Sequence, residues 1–319
     1  MEPMLQELGL RYPIFQGGMA WVATGSLAAA VSEAGGLGII GSGHAPAEYV
    51  KAQINIAKEQ TDKPFGVNVM LLSPYVEEVI AVVAAAHVAV VTTGAGDPSR
   101  YLSQLQKAGS RVLPVVPSVA LAKRMARSGV DGVIAEGMES GGHIGTMTTM
   151  ALVPQVVDAV DIPVIAAGGI ADGRGVVAAL ALGASGVQMG TRFLAASETL
   201  IHPRYQQAVV AAKDVDTLVT GLYVGHAARV LKNPMSRQYL RLEKRLAIEG
   251  GDMSAVEALG NGSLRIAVQE GDPERGSFMA GQIAGLIHDV TPAATILATI
   301  MQEAQQVAAN DWQSRLVAP

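Results

Sequence analysis

The sequence predicts an α/β protein: a (β/α)8 barrel of the TIM type followed by a mainly helical C-terminal appendage. Three observations carry this expectation. Eight short β-branched or aliphatic runs recur with helix-forming stretches between them, and successive runs start about 20 to 32 residues apart, the length of a strand, a loop and a helix. Eight such units fit within roughly 190 residues, which favours closure into a barrel over an open sheet. Half of the 319 residues are hydrophobic while only 16% are charged and 4% aromatic, so small apolar side chains are available to pack helices closely on a parallel sheet.

Taken in order, the expected strands are Ile14–Gln16, Leu37–Gly41, Phe65–Val69, Val88–Thr92, Val112–Val116, Gly132–Glu136, Val164–Ala166 and Val187–Gly190. The expected helices between them are Thr24–Ala34, Ala47–Gln60, Tyr75–Ala86, Ser99–Ala108, Val119–Ser128, Met150–Val160 and Arg174–Leu182. Several begin after Ser, Thr, Asp or Pro, and glycines at 35–36, 109, 129 and 183 supply stop signals. Beyond Gly190 the strand pattern fades. Residues 1–200 are therefore assigned to the barrel and 201–319 to the appendage, whose helices are expected at Arg204–Lys213, Arg237–Ile248, Met253–Leu259, Ala280–Ile287 and Ala293–Ala309. The charged piece Arg237–Lys244 reads as a solvated helix face.

Composition excludes several functions. Cysteine is absent, which removes disulfides, thiolate nucleophiles and cysteine-ligated metals, and leaves any redox chemistry to a borrowed cofactor. The net charge is −5, with no lysine and arginine run long enough to make nucleic acid or an anionic membrane an expected partner. The N-terminus has no basic region followed by an apolar one, so the chain reads as cytoplasmic. No histidine pair has metal-ligand spacing.

Active sites of such barrels are built where the strands end. The stretch Glu136–Gly145 contains one histidine, His143, after the pair Gly141 and Gly142, which makes His143 the catalytic candidate. Strand seven ends in Gly168-Gly169 and strand eight in Gly190-Thr191, the two loops that hold phosphate in many barrels. A ligand anchored there reaches across the mouth to Gly17, Gly18 and Met19 after strand one and to Asn68 in strand three, and flavin mononucleotide suits that layout. The loop Thr92–Gly96, with Thr93, Gly94 and Ala95 at its centre, leaves room for a second ligand. Each of these residues also has an ordinary role as turn, cap or core filler.

The strings Tyr12-Pro-Ile-Phe-Gln-Gly-Gly-Met-Ala-Trp21, Gly35-Gly-Leu-Gly-Ile-Ile-Gly41, Lys63-Pro-Phe-Gly-Val-Asn68, Glu136-Gly-Met-Glu-Ser-Gly-Gly-His-Ile-Gly145, Ile165-Ala-Ala-Gly-Gly-Ile-Ala-Asp172 and Gly190-Thr-Arg-Phe193 resemble the flavin-dependent enoyl-acyl-carrier-protein reductase II family, FabK, and its relatives the nitronate monooxygenases. The resemblance spans essentially the whole chain, including Gly276–Gly285. It departs from the reductase pattern at Ser140, where alanine is frequent, and at His44, where asparagine is frequent.

The resemblance implies FMN held by Gly17, Gly18, Met19, Asn68, Glu136, Gly141, Gly142, Gly168, Gly169, Gly190 and Thr191. Thr93, Gly94, Ala95, Ser118 and His226 are expected near substrate or nicotinamide. It implies reduction of a trans-2-enoyl thioester on acyl carrier protein by NADH or NADPH, the last step of a bacterial fatty-acid elongation cycle, with His143 on the thioester carbonyl. It also implies a homodimer and leaves open a monovalent cation held by backbone carbonyls. Two alternatives stand beside it: oxidation of alkyl nitronates with oxygen, and flavin binding without turnover.

Overall fold

The computed structural model describes residues 2–310. Its strands are β1 (Ile14–Gln16), β2 (Leu37–Gly41), β3 (Gly66–Met70), β4 (Val90–Gly94), β5 (Arg111–Val116), β6 (Val133–Glu136), β7 (Gly142–His143), β8 (Val164–Ala167), β9 (Gly186–Met189), β10 (Thr217–Thr220) and β11 (Ala228–Leu231). Eight of them, all but β7, β10 and β11, form the expected closed barrel, each parallel to its neighbours, with β9 pairing back to β1. Alternation decides what each strand residue faces: Phe15, Ile39, Val90, Leu113, Ile134 and Ile165 fill the interior, and the intervening residues pack under the helices.

The helices are α1 (Pro3–Glu7), α2 (Gly25–Glu33), α3 (Ala47–Gln60), α4 (Val76–Ala85), α5 (Ser99–Lys107), α6 (Val119–Ser128), α7 (Thr149–Val157), α8 (Gly173–Ala181), α9 (Thr191–Leu194), α10 (Pro203–Val210), α11 (Pro234–Glu249), α12 (Ser254–Gly260), α13 (Ser263–Glu270) and α14 (Ala293–Ala308). Helix α1, not anticipated from sequence, contributes Met4 and Leu5 to the interior cluster and so closes the end of the barrel opposite the strand C-termini.

Three expectations need correction. The segment read as helical throughout contains β10 and β11, which join β7 in a three-stranded antiparallel sheet. Four-residue strands whose third partner is a two-residue strand some 75–85 positions away leave almost no local signal. The helix expected at Ala280–Ile287 is a short 3-10 turn, Gln282–Leu286. Helix α14 packs between α8 and α2, where the eighth barrel helix belongs: Gly173 N–H donates to Glu303 at 3.1 Å, and a Cβ on Gly173 would lie 2.2 Å from the Ala304 nitrogen. The elements between β9 and α14 therefore interrupt the last βα unit. Residues 311–319 of the expected appendage lie outside the described residues.

Candidate active site

The floor of the mouth is made by polar side chains on the last inward-facing turn of the strands. Asn68 Nδ2 donates to Thr92 Oγ1 at 2.9 Å, joining β3 to β4. Gly18 crosses directly above Asn68: a Cβ at position 18 would lie 2.2 Å from the Asn68 Cβ. Gly17 N–H donates to the Met189 carbonyl at 2.9 Å, and its missing side chain leaves space filled by Gln188. Met19 passes over Gly41, whose Cβ would meet the Met19 carbonyl oxygen at 2.4 Å, and reaches Gly190 through its sulfur. The structure thus brings Gly17, Gly18, Met19, Asn68 and Gly190 together.

The loops after β6, β8 and β9 form the opposite wall. Gly168 and Gly169 both take left-handed conformations, with φ of 89° and 70°, and their N–H groups have no protein acceptor among the described residues. The Glu139 carboxylate accepts from the Thr149 N–H at 2.9 Å and lies the same distance from the Thr149 hydroxyl, which is also 3.0 Å from the Gly168 carbonyl. Gly141 packs so closely on Ala280 and Gly281 that a Cβ would approach within 2.7 Å. Gly281 N–H donates to Thr191 Oγ1 at 2.9 Å, and Gln282 N–H to the Glu139 carbonyl at 2.9 Å. The hydroxyl oxygen of Thr191 is thus engaged by the chain that stitches two loops together.

His143 is not on a free loop. It lies on β7, opposite Ala228 of β11, and the next residue extends the pairing through Ile144 N–H to the Ala227 carbonyl at 3.0 Å. Buried Arg229 fixes the same loop from behind, with Nε and Nη2 donating to the Met138 carbonyl at 3.2 and 3.0 Å and Nη1 to Thr217 Oγ1 at 3.3 Å. His143 is exposed to solvent, with protein crowding part of its ring. That crowding, followed by the neighbouring His226 and His44, lowers its proton affinity below the ordinary histidine value. His143 on β7 thus has two further histidines as electrostatic neighbours, although no group of acidic or histidine side chains among the described residues has metal-site geometry.

Glu136 ends β6 facing inward, on the same side as Ile134. Burial pushes its carboxyl up to about 7. The Ser140 hydroxyl lies close enough to oppose this in part but makes no hydrogen bond of standard geometry. A carboxyl whose folded value exceeds its unfolded one contributes stability below the unfolded value and loses it as pH rises through the folded one. Glu136→Gln is accordingly expected to stabilise flavin-free protein by about 2–3 kcal/mol at pH 8. The gain should vanish near pH 4, as read by urea denaturation at the two pH values; an equal effect at both would contradict the burial argument.

The remaining candidates separate. Strand β4 runs two residues further than expected because its pairing with β5 starts at Val90, so Thr93 is a strand residue on the face opposite Thr92. Its buried hydroxyl has no partner, and Thr92 supplies the inward hydroxyl. Gly94 borders open space, and Ala95 holds a left-handed φ of 57°. Ser118 caps α6 by accepting from Leu121 N–H at 3.3 Å. His226 does reach the neighbourhood of His143. The sequence reading placed Thr92 in the second-ligand loop, whereas it supplies the inward hydroxyl beside Asn68, and gave no role to Gln188, Glu139 or Arg229. Thr92 and Gln188 were accessible through period-two alternation, which marks polar residues at inward strand ends.

A parallel barrel with glycine loops, an inward carboxyl and a fixed histidine gathered at the strand C-termini has the layout of a (β/α)8-barrel enzyme. The chain belongs to the nitronate monooxygenase family, whose match covers residues 2–79 and 74–303. It is 50% identical to FabK from Thermotoga maritima, with a TM-score of 0.92 and 97% of each chain covered. It is 32% identical, over 95% of each chain, to the Mycobacterium tuberculosis (3aS,4S,5R,7aS)-5-hydroxy-7a-methyl-1-oxo-octahydro-1H-indene-4-carboxyl-CoA dehydrogenase. The identity is also 32% to a probable nitronate monooxygenase of Staphylococcus aureus, covering 95% of this chain and 97% of the relative. The protein is an oxidoreductase of this superfamily. No helix among the described residues is long and apolar enough to cross a membrane.

Proposed function

We propose that the protein reduces trans-2-enoyl thioesters carried on acyl carrier protein, using FMN and NADH or NADPH. The observation that carries this reading is the 50% identity to FabK along nearly the full chain. The relative named for a carboxyl-CoA substrate supports a thioester as the chemistry of the site.

The residues present fit a flavin. The unengaged N–H groups of Gly168 and Gly169 face the requirement of a phosphate, which needs backbone donors. Gly18 seated on Asn68, with Gly17 and Met19 beside it, offers a flat backbone surface for a ring. The buried hydroxyl of Ser140 and the inward carboxyl of Glu136 are polar groups awaiting partners. Gly141, Gly142, Gly190 and Thr191 complete the cradle. When bound, the flavin would supply two-electron transfer, taking hydride from the nicotinamide and delivering it to the β-carbon of the enoyl thioester, while a proton adds to the α-carbon.

His143 donates a hydrogen bond to the thioester carbonyl and so stabilises the negative charge that develops on that oxygen. Gly94, Ala95 and His226 border the space left for substrate or nicotinamide. Homodimer assembly belongs to the same proposal, in keeping with the prevalence of two-fold oligomers. Because the crowding protein and the two neighbouring histidines disfavour the protonated ring, His143 stays neutral below the pH at which an ordinary histidine charges. Activity that needs neutral His143 is expected to persist at pH 6.5 and to fall only at lower pH. A pH profile of kcat/KM with its acid limb above 6.5 would contradict this.

Nitronate oxidation is the second reading, favoured by the family match, with His143 either removing the α-proton of a nitroalkane or binding the nitronate that results. Flavin binding without turnover is the third. NAD(P)H consumption driven by crotonyl thioester supports the first, oxygen uptake driven by an alkyl nitronate the second, and a yellow protein inert toward both the third.

A further inference from the structure

Glu243 lies in the charged stretch that reads as a solvated helix face, yet its side chain is fully buried. Its neighbours Arg241 and Lys244 are exposed. It has no cationic partner among the described residues; its oxygens instead accept the N–H groups of Gly221 at 2.9 Å and Tyr223 at 2.7 Å. A buried carboxylate without such donors is costly, so these two bonds hold the β10–β11 turn firmly to α11.

The turn is tight. His226 N–H donates to the Gly221 carbonyl at 2.9 Å. Gly221 has a φ of 78°, and a Cβ there would lie 2.2 Å from the His226 oxygen. From His226 the chain enters β11, where Ala228 pairs with His143 and Ala227 accepts from Ile144. A run of backbone hydrogen bonds and strand pairing therefore links the Glu243 carboxylate to the backbone of His143 by way of His226, whose imidazole neighbours that of His143.

We propose that Glu243 is a positioning residue that, by clamping the 221–226 turn to α11, sets where His226 stands against His143. The inference rests on the reading in which His143 acts on substrate. A general folding role is a poor account of Glu243, because the hairpin has other supports. Four residue pairs join β10 to β11, Arg229 ties β11 to Met138 and Thr217, and α11 begins with a complete capping box at Asn233 and Ser236. The groups facing His143 are His226 from the turn and His44 from the loop after β2, while Tyr239 of α11 lies near Glu243 and Glu257 of α12.

The test compares Glu243→Gln, His226→Ala and the exposed control Glu257→Gln with the parent. Amide exchange, imidazole titration by NMR and steady-state kinetics are read on flavin-loaded protein. Glu243→Gln keeps the volume but replaces one acceptor by a donor. Exchange at Tyr223, His226 and Ile144 is expected to accelerate at least ~10-fold in this variant, with kcat lowered about 10-fold. The titration of His143 should move up toward the ordinary histidine value in both Glu243→Gln and His226→Ala. Glu257→Gln should match the parent. Unchanged exchange and titration in Glu243→Gln would overturn the proposal, and so would an unchanged His143 titration in His226→Ala if Glu243→Gln fails to fold. A parent without enoyl reductase activity would sink the functional reading, while exchange and titration would still decide the role of Glu243.

Discussion

His143→Ala protein that keeps its flavin is expected to reduce enoyl thioesters about 10²–10⁴ times more slowly than the parent, the contribution typical of a positioned acid–base or hydrogen-bonding side chain. The substitution is a clean one. His143 is held by backbone pairing to Ala228, which alanine reproduces, so β7 and the three-stranded sheet remain in place. The loss should fall on kcat and on kcat/KM together, because a bond to the developing enolate oxygen is strongest in the transition state. Reduction of the flavin by nicotinamide should be little affected, since that half-reaction involves no thioester carbonyl. Full turnover in a flavin-loaded His143→Ala protein would remove His143 from the chemistry.

Gly18→Ala is expected to weaken flavin binding by at least ~10-fold and to cost about 1–3 kcal/mol of stability, the usual range for overpacking. The new methyl would sit 2.2 Å from the Asn68 Cβ, 3.0 Å from its Cγ and 3.5 Å from Ile39 Cγ2. Either Asn68 moves and breaks its bond to Thr92, or the Gly17–Met19 segment lifts into the space a ring needs. The φ of Gly18 is not left-handed, so the penalty is steric and local. Flavin titration separates this from a general glycine effect when Gly94→Ala is measured beside it, because a Cβ at Gly94 meets nothing within 4 Å. Wild-type affinity in Gly18→Ala would show that the first loop does not floor the flavin.

The barrel was legible because each of its strands is a β-branched run with a helix-length interval after it, and strand burial on both faces writes such runs plainly. Part of the candidate site was legible for a related reason: glycines at 168, 169, 17 and 18 stand where the strands end. The three-stranded sheet was not, since Thr217–Thr220 and Ala228–Leu231 are too short to show a period and find their third strand at Gly142–His143, far away in sequence. Helix α14 was recognised as a helix but not as the eighth of the ring, because more than a hundred residues separate it from β9. Glu243 was hidden inside a run of charges: a carboxylate satisfied by backbone N–H groups looks, in sequence, like one satisfied by water. Thr93 was misplaced because β4 was read as ending at Thr92: the strand runs on to Gly94, and alternation within it puts Thr93 on the face opposite Thr92.

The most direct test of the central claim is an anaerobic half-reaction followed by flavin absorbance. The flavin-loaded protein is first reduced with one equivalent of NADH or NADPH and then mixed with crotonyl thioester. The account predicts that the flavin bleaches with nicotinamide and regains its oxidised spectrum with the enoyl thioester, in the absence of oxygen, with one equivalent of saturated thioester formed. A flavin that stays reduced in the presence of the enoyl thioester, in a protein whose oxidised flavin supports oxygen-dependent turnover of an alkyl nitronate, would contradict it.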